Sequence, residues 1–176
     1  MGWTSGLTGF AATLAVAGTL LAGAPAEAVF IGNSQGGTDF PEGTASFADT
    51  VVDYAPTLVN GEPTEANRNA SRALGVPDYV SGGGCVSAES CTFASLGDGG
   101  SLTLRFVDNV LTGSDDASPD LWIFEVGPDI EDTFVEVSHD GSTWFAVGKV
   151  FGSTAGVDLD AFGFGSSSSF AYVRLT

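Results

Sequence analysis

A succession of short apolar segments separated by turn residues constrains the fold of this chain more than any other feature. Gly, Ser and Thr interrupt the chain roughly every 8 to 12 residues, which is the spacing typical of an all-β sandwich. Between them apolar and polar residues alternate, as at Leu102, Leu104 and Phe106. A period of two residues gives a strand one buried and one exposed face. After residue 28 no segment has the pattern of a helix of normal length, so we predict two antiparallel sheets packed face to face.

The pair Asp140-Gly141 is the strongest hairpin signal in the chain. It lies between two alternating runs, 134–138 and 143–147, and Gly adopts a positive φ without steric strain. A last strand is predicted over 170–175, and one or two helical turns on a loop over 63–74.

The run 121–126 (LWIFEV) is almost entirely apolar. Such a run is typical of a central strand that is covered on both faces. Four large side chains are therefore expected in or beside one core between the sheets: Trp122, Phe124, Val137 and Trp144.

Residues 1–28 have the pattern of an export signal. A small apolar stretch at 10–24 precedes Ala26-Glu27-Ala28, a cleavage-site pattern. The stretch is shorter than the roughly 20 apolar residues of a membrane span, although the first nine residues lack the usual Lys or Arg. We expect one domain over 29–176. Its apolar final run predicts that the chain stops before the last strand of the domain.

The formal charge of the chain is −17. Nucleic acids and anionic membranes are excluded as partners, because binding them requires basic patches. In an exported protein this acidity indicates either solubility in a salty medium or affinity for divalent cations.

Cys85 and Cys91 flank the sequence VSAES. In an exported chain such a pair predicts a disulfide that closes one loop. Zinc is a poor alternative, since only one His, His139, accompanies the two thiols.

Eight carboxylates and no basic residue occur between 108 and 132. They are Asp108, Asp115, Asp116, Asp120, Glu125, Asp129, Glu131 and Asp132. Water, a bound cation or a catalytic role are the alternatives for neutralising them. An irregular acidic loop suits Ca²⁺, which takes 6 to 8 oxygen ligands.

Five of these carboxylates form the predicted calcium site. Asp108, Asp115, Asp116 and Asp120 bracket a loop between two predicted strands. Glu125 lies in the apolar run and needs a partner if it is buried. Arg105 and Arg174 are the competing partners.

No catalytic motif is present. The patterns G-x-S-x-G and H-E-x-x-H are absent, and His139 sits beside a predicted turn. A glycosidase-like pair of carboxylates stays open only because every acidic protein offers such pairs. We therefore expect no enzymatic activity.

Four short motifs follow one another along the chain: ALGVPD at 73–78, SLGDGGSL at 95–102, DLWIFE at 120–125 and VEVSHDGSTW at 135–144. Together they resemble bacterial exported cell-surface proteins, some with PEP-CTERM sorting tails. Their domain is similar to the galactose-binding-like, discoidin-type β-sandwich. The resemblance covers about residues 45–176, and members of the family usually continue past the equivalent of Thr176. It implies an eight-stranded jelly roll, no catalysis, and carbohydrate, adhesion or matrix roles.

The sequence thus predicts a secreted, non-enzymatic binding module of the cell surface or extracellular matrix, stabilised by calcium. Its partner would be an extracellular glycan or surface protein. The second hypothesis is a structural subunit that associates through an exposed sheet edge. A hydrolase is the third.

Overall fold

The computed structural model describes residues 27–32, 37–78, 85–126, 132–151 and 154–176. The predicted export signal lies outside the described residues except for Glu27 and Ala28, as do Asp129 and Glu131. Within these ranges the chain forms nine strands and four short 3₁₀-helices, so the predicted all-β class is confirmed. The strands are β1 (Val29–Ile31), β2 (Thr38–Phe40), β3 (Thr50–Ala55), β4 (Ser101–Arg105), β5 (Leu121–Phe124), β6 (Asp132–Ser138), β7 (Phe145–Phe151), β8 (Thr154–Val157) and β9 (Tyr172–Leu175). The 3₁₀-helices are Gly43–Ser46, Glu65–Asn67, Ala70–Ala73 and Asp160–Phe162.

The largest sheet has five antiparallel strands in the order β3-β4-β9-β6-β7. The predicted last strand is β9, and it lies at the centre of this sheet between β4 and β6. Val173 is opposite Leu104 on one side and Val137 on the other. The predicted hairpin is confirmed as β6 and β7, and Gly141 in its turn has a φ of 76°. The helical turns predicted within 63–74 are also confirmed.

Two smaller sheets complete the described part of the chain, β1 with β2 and β5 with β8. The apolar run that predicted a central strand forms β5, which pairs with β8 alone among the described strands. Leu121 is buried and Ile123 packs against the core, whereas Trp122 and Phe124, in the alternate positions, are half-buried.

One hydrophobic core lies between the five-stranded sheet and the β5–β8 sheet. Alternation along β4, β6 and β9 directs one set of side chains into it, among them Leu104, Val137 and Val173. The smaller sheet contributes Leu121 and Val157 to the same core. The arrangement is sandwich-like, with one large sheet facing one small one.

The outer face of the five-stranded sheet carries paired charges. The guanidinium of Arg174 forms an ion pair with Glu136 at 2.6 Å and lies 4.2 Å from the centre of the Trp144 ring. Lys149 pairs with Asp132 at 2.7 Å. Val137 is in the core as expected, but Trp144 is half-buried on this outer face, because Arg174 alternates with the core residue Val173.

The predicted disulfide between Cys85 and Cys91 is confirmed. Arg72 anchors the loop that this disulfide closes. Its guanidinium donates to the carbonyl oxygens of Ala88 and Glu89, at 3.2 and 3.0 Å. In the ranges that the structure describes, no helix has the length and apolar character that crossing a membrane would require.

Candidate functional site

An acidic cluster forms where β5 begins and β8 ends. Leu121 of β5 is opposite Val157 of β8, so antiparallel pairing places the preceding Asp120 beside the following Asp158. The N–H of Asp120 also donates to the carbonyl oxygen of Val157 at 2.9 Å. Strand register, rather than proximity in sequence, therefore brings these two carboxylates together.

Asp160 completes the cluster. One carboxylate oxygen from each of Asp120, Asp158 and Asp160 lies within 4.8 Å of the other two, and all three residues are half-buried. Between the last two, Leu159 is fully buried in the core, which anchors the chain so that both neighbouring carboxylates stay at the surface. Three acidic oxygens at this spacing suit a hard cation such as Ca²⁺, with water or carbonyl oxygens as its remaining ligands.

Backbone N–H groups orient the three carboxylates. Asp120 accepts from the N–H of Leu159 at 2.9 Å, and Asp158 accepts from Ala161 at 3.2 Å. Asp160 accepts from the N–H groups of Ser114 and Asp115 at 3.0 and 3.1 Å. Neutral dipoles compensate part of the negative charge, but they add no positive one, so the cluster keeps its net negative charge.

Asp115 joins the loop 113–120 to the loop 158–166 from the other side. Its carboxylate accepts from the backbone N–H of Ser166 at 2.9 Å and from the hydroxyl of the same residue. These hydrogen bonds, led by that of the hydroxyl, hold the pKa of Asp115 below its ordinary value. Gly113 and Gly165 permit this close contact, because a Cβ at either position would collide with the facing loop.

Asp116 is held within its own loop. The hydroxyl and the N–H of Ser118 donate to its carboxylate and lower its pKa. Asp116 is exposed and lies outside the three-carboxylate cluster. It thus contributes to the shape of the loop.

Of the five predicted ligands, only Asp120 belongs to the cluster. Asp115 adjoins it through the loop contacts described above. Asp108 is exposed in the bend after β4, and Glu125 is half-buried just after β5. Of the two competing arginines, Arg174 is paired with Glu136, and Arg105 lies over the ring of Tyr172.

Two members of the cluster, Asp158 and Asp160, were not among the predicted ligands. They lie 38 and 40 residues after Asp120 in the sequence, outside the acidic stretch 108–132. The signal that could have found them is the pattern Asp-Leu-Asp directly after a short apolar run. A lone apolar residue between two acids at the end of a strand indicates a buried anchor with both carboxylates at the surface.

A cleft of about 1230 Å³ runs along β5. It is lined by Leu102 and Leu104 of β4, by Val173 and Leu175 of β9, and by residues from the segments 39–48, 72–78 and 92–99. None of the three β8 residues 155–157 is in the lining, so the cleft lies on the side of β5 that faces away from β8.

Aromatic side chains form one wall of this cleft. The ring of Phe40 lies 4.9 Å from that of Phe47 and 6.0 Å from that of Phe124, measured between centroids. Trp122 is also in the lining. Phe40, from the β1–β2 hairpin, thereby links the wall formed by β5 to the loop that follows β2.

The lining of the cleft carries excess negative charge. Apart from Asp132, which pairs with Lys149, six carboxylates line it against one guanidinium, that of Arg72. They are Asp39, Glu42, Asp78, Asp98, Asp120 and Glu125. Asp120 belongs both to this lining and to the acidic cluster, so the two features adjoin.

Comparison of the chain with protein-family models, with curated proteins and with solved structures finds no match in any of the three. Its function has therefore to be argued from the cluster and the cleft.

Proposed function

We propose that this chain is an exported, non-enzymatic binding module of the cell surface or extracellular matrix. The observation that carries the proposal is the cleft along β5, in which aromatic side chains stand beside polar ones between loops. Apolar walls with a few polar groups are typical of ligand sites. The partner would be an extracellular glycan or a surface protein.

We further propose that the domain is a jelly roll of the galactose-binding-like type. A five-stranded antiparallel sheet facing a smaller antiparallel sheet over one core supports this. The four sequence motifs support it as well, since they fall on β4, β5, the β6–β7 hairpin and the loops that line the cleft.

Calcium would act as a structural ion in this module. It would bind at Asp120, Asp158 and Asp160, which connect the end of β8 to the start of β5. Because Asp120 also lines the cleft, an ion there would hold one wall of the binding site in place.

The proposed lack of catalysis is consistent with the position of His139, the single histidine in the chain. Its ring stacks on the buried Phe170 with 4.4 Å between centroids, and its Nδ1 contacts the carbonyl oxygen of Ser169. The ring is absent from the lining of the cleft. It serves as a cover for the core at the hairpin turn.

A glycan array and a panel of matrix proteins, probed in Ca²⁺ and in EDTA, test the binding function. We expect Trp122→Ala to abolish binding, because Trp122 belongs to the lining of the cleft. The matched control is Trp144→Ala, which removes a Trp from the outer face and should leave binding intact. Binding that depends on Trp144 and tolerates Trp122→Ala would contradict the cleft, and binding to nothing would contradict the function.

The calcium proposal has its own measurement. An ion that binds only the folded chain raises its stability by RT ln(1 + [L]/Kd), or about 2.7 kcal/mol when Ca²⁺ is at 100 times its Kd. The Tm should rise between EDTA and millimolar Ca²⁺. Asp158→Asn should remove most of this rise, because it takes one charge from the cluster but keeps an oxygen that can accept from Ala161. A Tm that Ca²⁺ does not move would leave the acidic loops as solvated loops.

A further inference from the structure

We propose that the cleft accepts an extended, positively charged segment of another protein, which adds as a strand to the edge of β5. This inference rests on the proposed binding function and names the chemistry of its partner. Three features carry it: the edge of β5, the apolar side chains in the lining, and the negative charge at the rim.

The edge of β5 supplies the hydrogen-bonding groups. Residues Leu121–Phe124 pair with β8 along one edge, and in the described part of the chain no strand lies along the other. The backbone N–H and C=O groups of β5 that do not pair with β8 are directed to this second edge. An extended peptide can satisfy them by pairing as a further strand, the mode of recognition called β-augmentation.

The lining of the cleft supplies the apolar contacts. A strand added at this edge would have one face directed toward the large sheet, beside the partly buried Leu96 and Leu175 of the lining. Val110 and Phe151 also line the cleft, and they are 54% and 65% exposed. Exposed apolar side chains beside an open sheet edge are typical of an interaction surface.

The acidic rim of the cleft favours a positively charged partner. Asp39, Glu42, Asp78 and Asp98 are all exposed around the opening. The one guanidinium in the lining, that of Arg72, donates to the carbonyl oxygens of the disulfide loop. Lys or Arg side chains on the outer face of an added strand would meet this rim, and complementary charge speeds the encounter and fixes the register.

Charge also argues against a second copy of this chain as the occupant. Each copy carries a formal charge of −17, and two such molecules repel one another. The exposed acids at the rim would have to meet a surface with few Lys or Arg, since the whole chain contains only five. A cationic partner has no such repulsion to overcome.

Peptides of defined sequence test the three features separately. The probe is an eight-residue peptide that alternates Lys with Val. One control replaces Lys with Glu, a second replaces Val with Ser, and a third carries N-methyl groups on alternate backbone amides. We expect the Lys-Val peptide to bind with a Kd at least about tenfold lower than that of each control, which corresponds to about 1.4 kcal/mol.

Fluorescence reports where the peptide binds. In a Trp144→Phe variant, Trp122 is the one remaining Trp of the described chain, and its emission should shift when the cleft is filled. The double variant Asp39→Asn with Asp98→Asn should weaken binding of the Lys-Val peptide about fivefold to tenfold. Its charge-matched control is Asp53→Asn with Glu65→Gln, because both residues are exposed and absent from the lining. The control should bind as the parent does.

Each other result overturns the inference in a recognisable way. Equal binding of the N-methylated peptide would mean that charge alone attracts it and that no strand is added. Equal weakening by the two double variants would mean attraction to the whole acidic surface. If no peptide binds but a glycan binds in a manner that depends on Trp122, this inference fails and the proposed function stands. If neither binds, both fail.

Discussion

The charged side chains on the two faces of the sandwich have different kinds of partner. The five-stranded sheet carries Arg105, Lys149 and Arg174, three of the five basic residues in the chain. Two of them form ion pairs, with Asp132 and Glu136. The loops around the β5–β8 sheet carry five acids, which accept hydrogen bonds from backbone N–H groups and hydroxyls. They are Asp115, Asp116, Asp120, Asp158 and Asp160.

Under the proposed function, this difference separates a structural region from the region that binds the partner. Charges paired within a sheet are already compensated and have little free energy to gain from a ligand. Carboxylates that are held only by neutral dipoles keep their full charge, so a cation or a cationic partner adds stability there. Among the described residues the small sheet therefore brings together an edge without a neighbouring strand, an apolar cleft and acids that are held by neutral groups.

The largest expected effect tests the contrast between the closed core and the open cleft. Phe170 is fully buried, so Phe170→Ala should lower the free energy of unfolding by about 3–5 kcal/mol through lost burial and a cavity. Phe124→Ala, in the half-buried wall of the cleft, should lower it by less than half as much. Urea denaturation of both variants measures this. Equal losses would mean that the cleft is as closed as the core.

The next effect concerns the disulfide between Cys85 and Cys91. Its loop spans a sequence separation of 6 residues, and closing so short a loop removes little entropy from the unfolded chain. Replacing both cysteines with Ser should lower the free energy of unfolding by about 2 kcal/mol. Loops on both sides of the bridge line the cleft, so the same replacement should also lower the affinity for the ligand. Native thiol labelling of the parent should detect no free cysteine.

Neutralising one acid in each region should change the stability of the protein in opposite directions. Glu136→Gln removes the partner of the partly buried Arg174 and should destabilise the protein by about 1 kcal/mol or less. Asp158→Asn, measured in EDTA, relieves repulsion within the acidic cluster and should raise the Tm by about 1–2 °C. Thermal melts in EDTA compare the two variants directly. A fall in Tm for both would contradict the view that the cluster is uncompensated.

The regular parts of the fold could be predicted because their cause is local. Alternation at Leu102 and Leu104 and the Asp140-Gly141 turn depend on neighbours in sequence, and both predictions are confirmed. The strand β3 was not predicted, because its sequence TVVDYA lacks a clean alternation. A register shift between Val51 and Asp53 explains why, since a bulge interrupts the period of two.

The acidic cluster could be predicted only in part because its cause is long-range. Sequence proximity selected Asp115, Asp116 and Asp120, but the pairing of β5 with β8 decides which carboxylates meet. The sequence of one strand alone does not indicate which distant strand it pairs with. The same limit applies to Trp144, whose ring a sequence pattern assigns to the core and which Arg174 covers on the outer face instead.

The smallest expected effect compares two carboxylates that are each held by their own turn. The N–H groups of Thr143 and Ser142 donate to Asp140 at 2.9 and 2.8 Å and hold its pKa well below the ordinary value. A carboxylate with a lowered folded-state pKa contributes stability above its unfolded pKa of about 4, and the contribution is lost as the pH falls through the folded pKa.

Asp140→Asn keeps an oxygen acceptor, so it isolates the effect of the charge. In EDTA we expect this variant to melt about 1–2 °C below the parent at pH 7, with a difference in Tm that is constant down to about pH 5 and narrows steadily as the pH falls below about 4. Asp116, whose pKa Ser118 lowers, is the control. Asp116→Asn also relieves repulsion from the other acids of its loop, so its difference in Tm should be smaller at pH 7. If the difference in Tm for Asp116→Asn were the larger of the two, repulsion in the acidic loops would be negligible. The contrast between the two faces of the sandwich would then have no electrostatic basis.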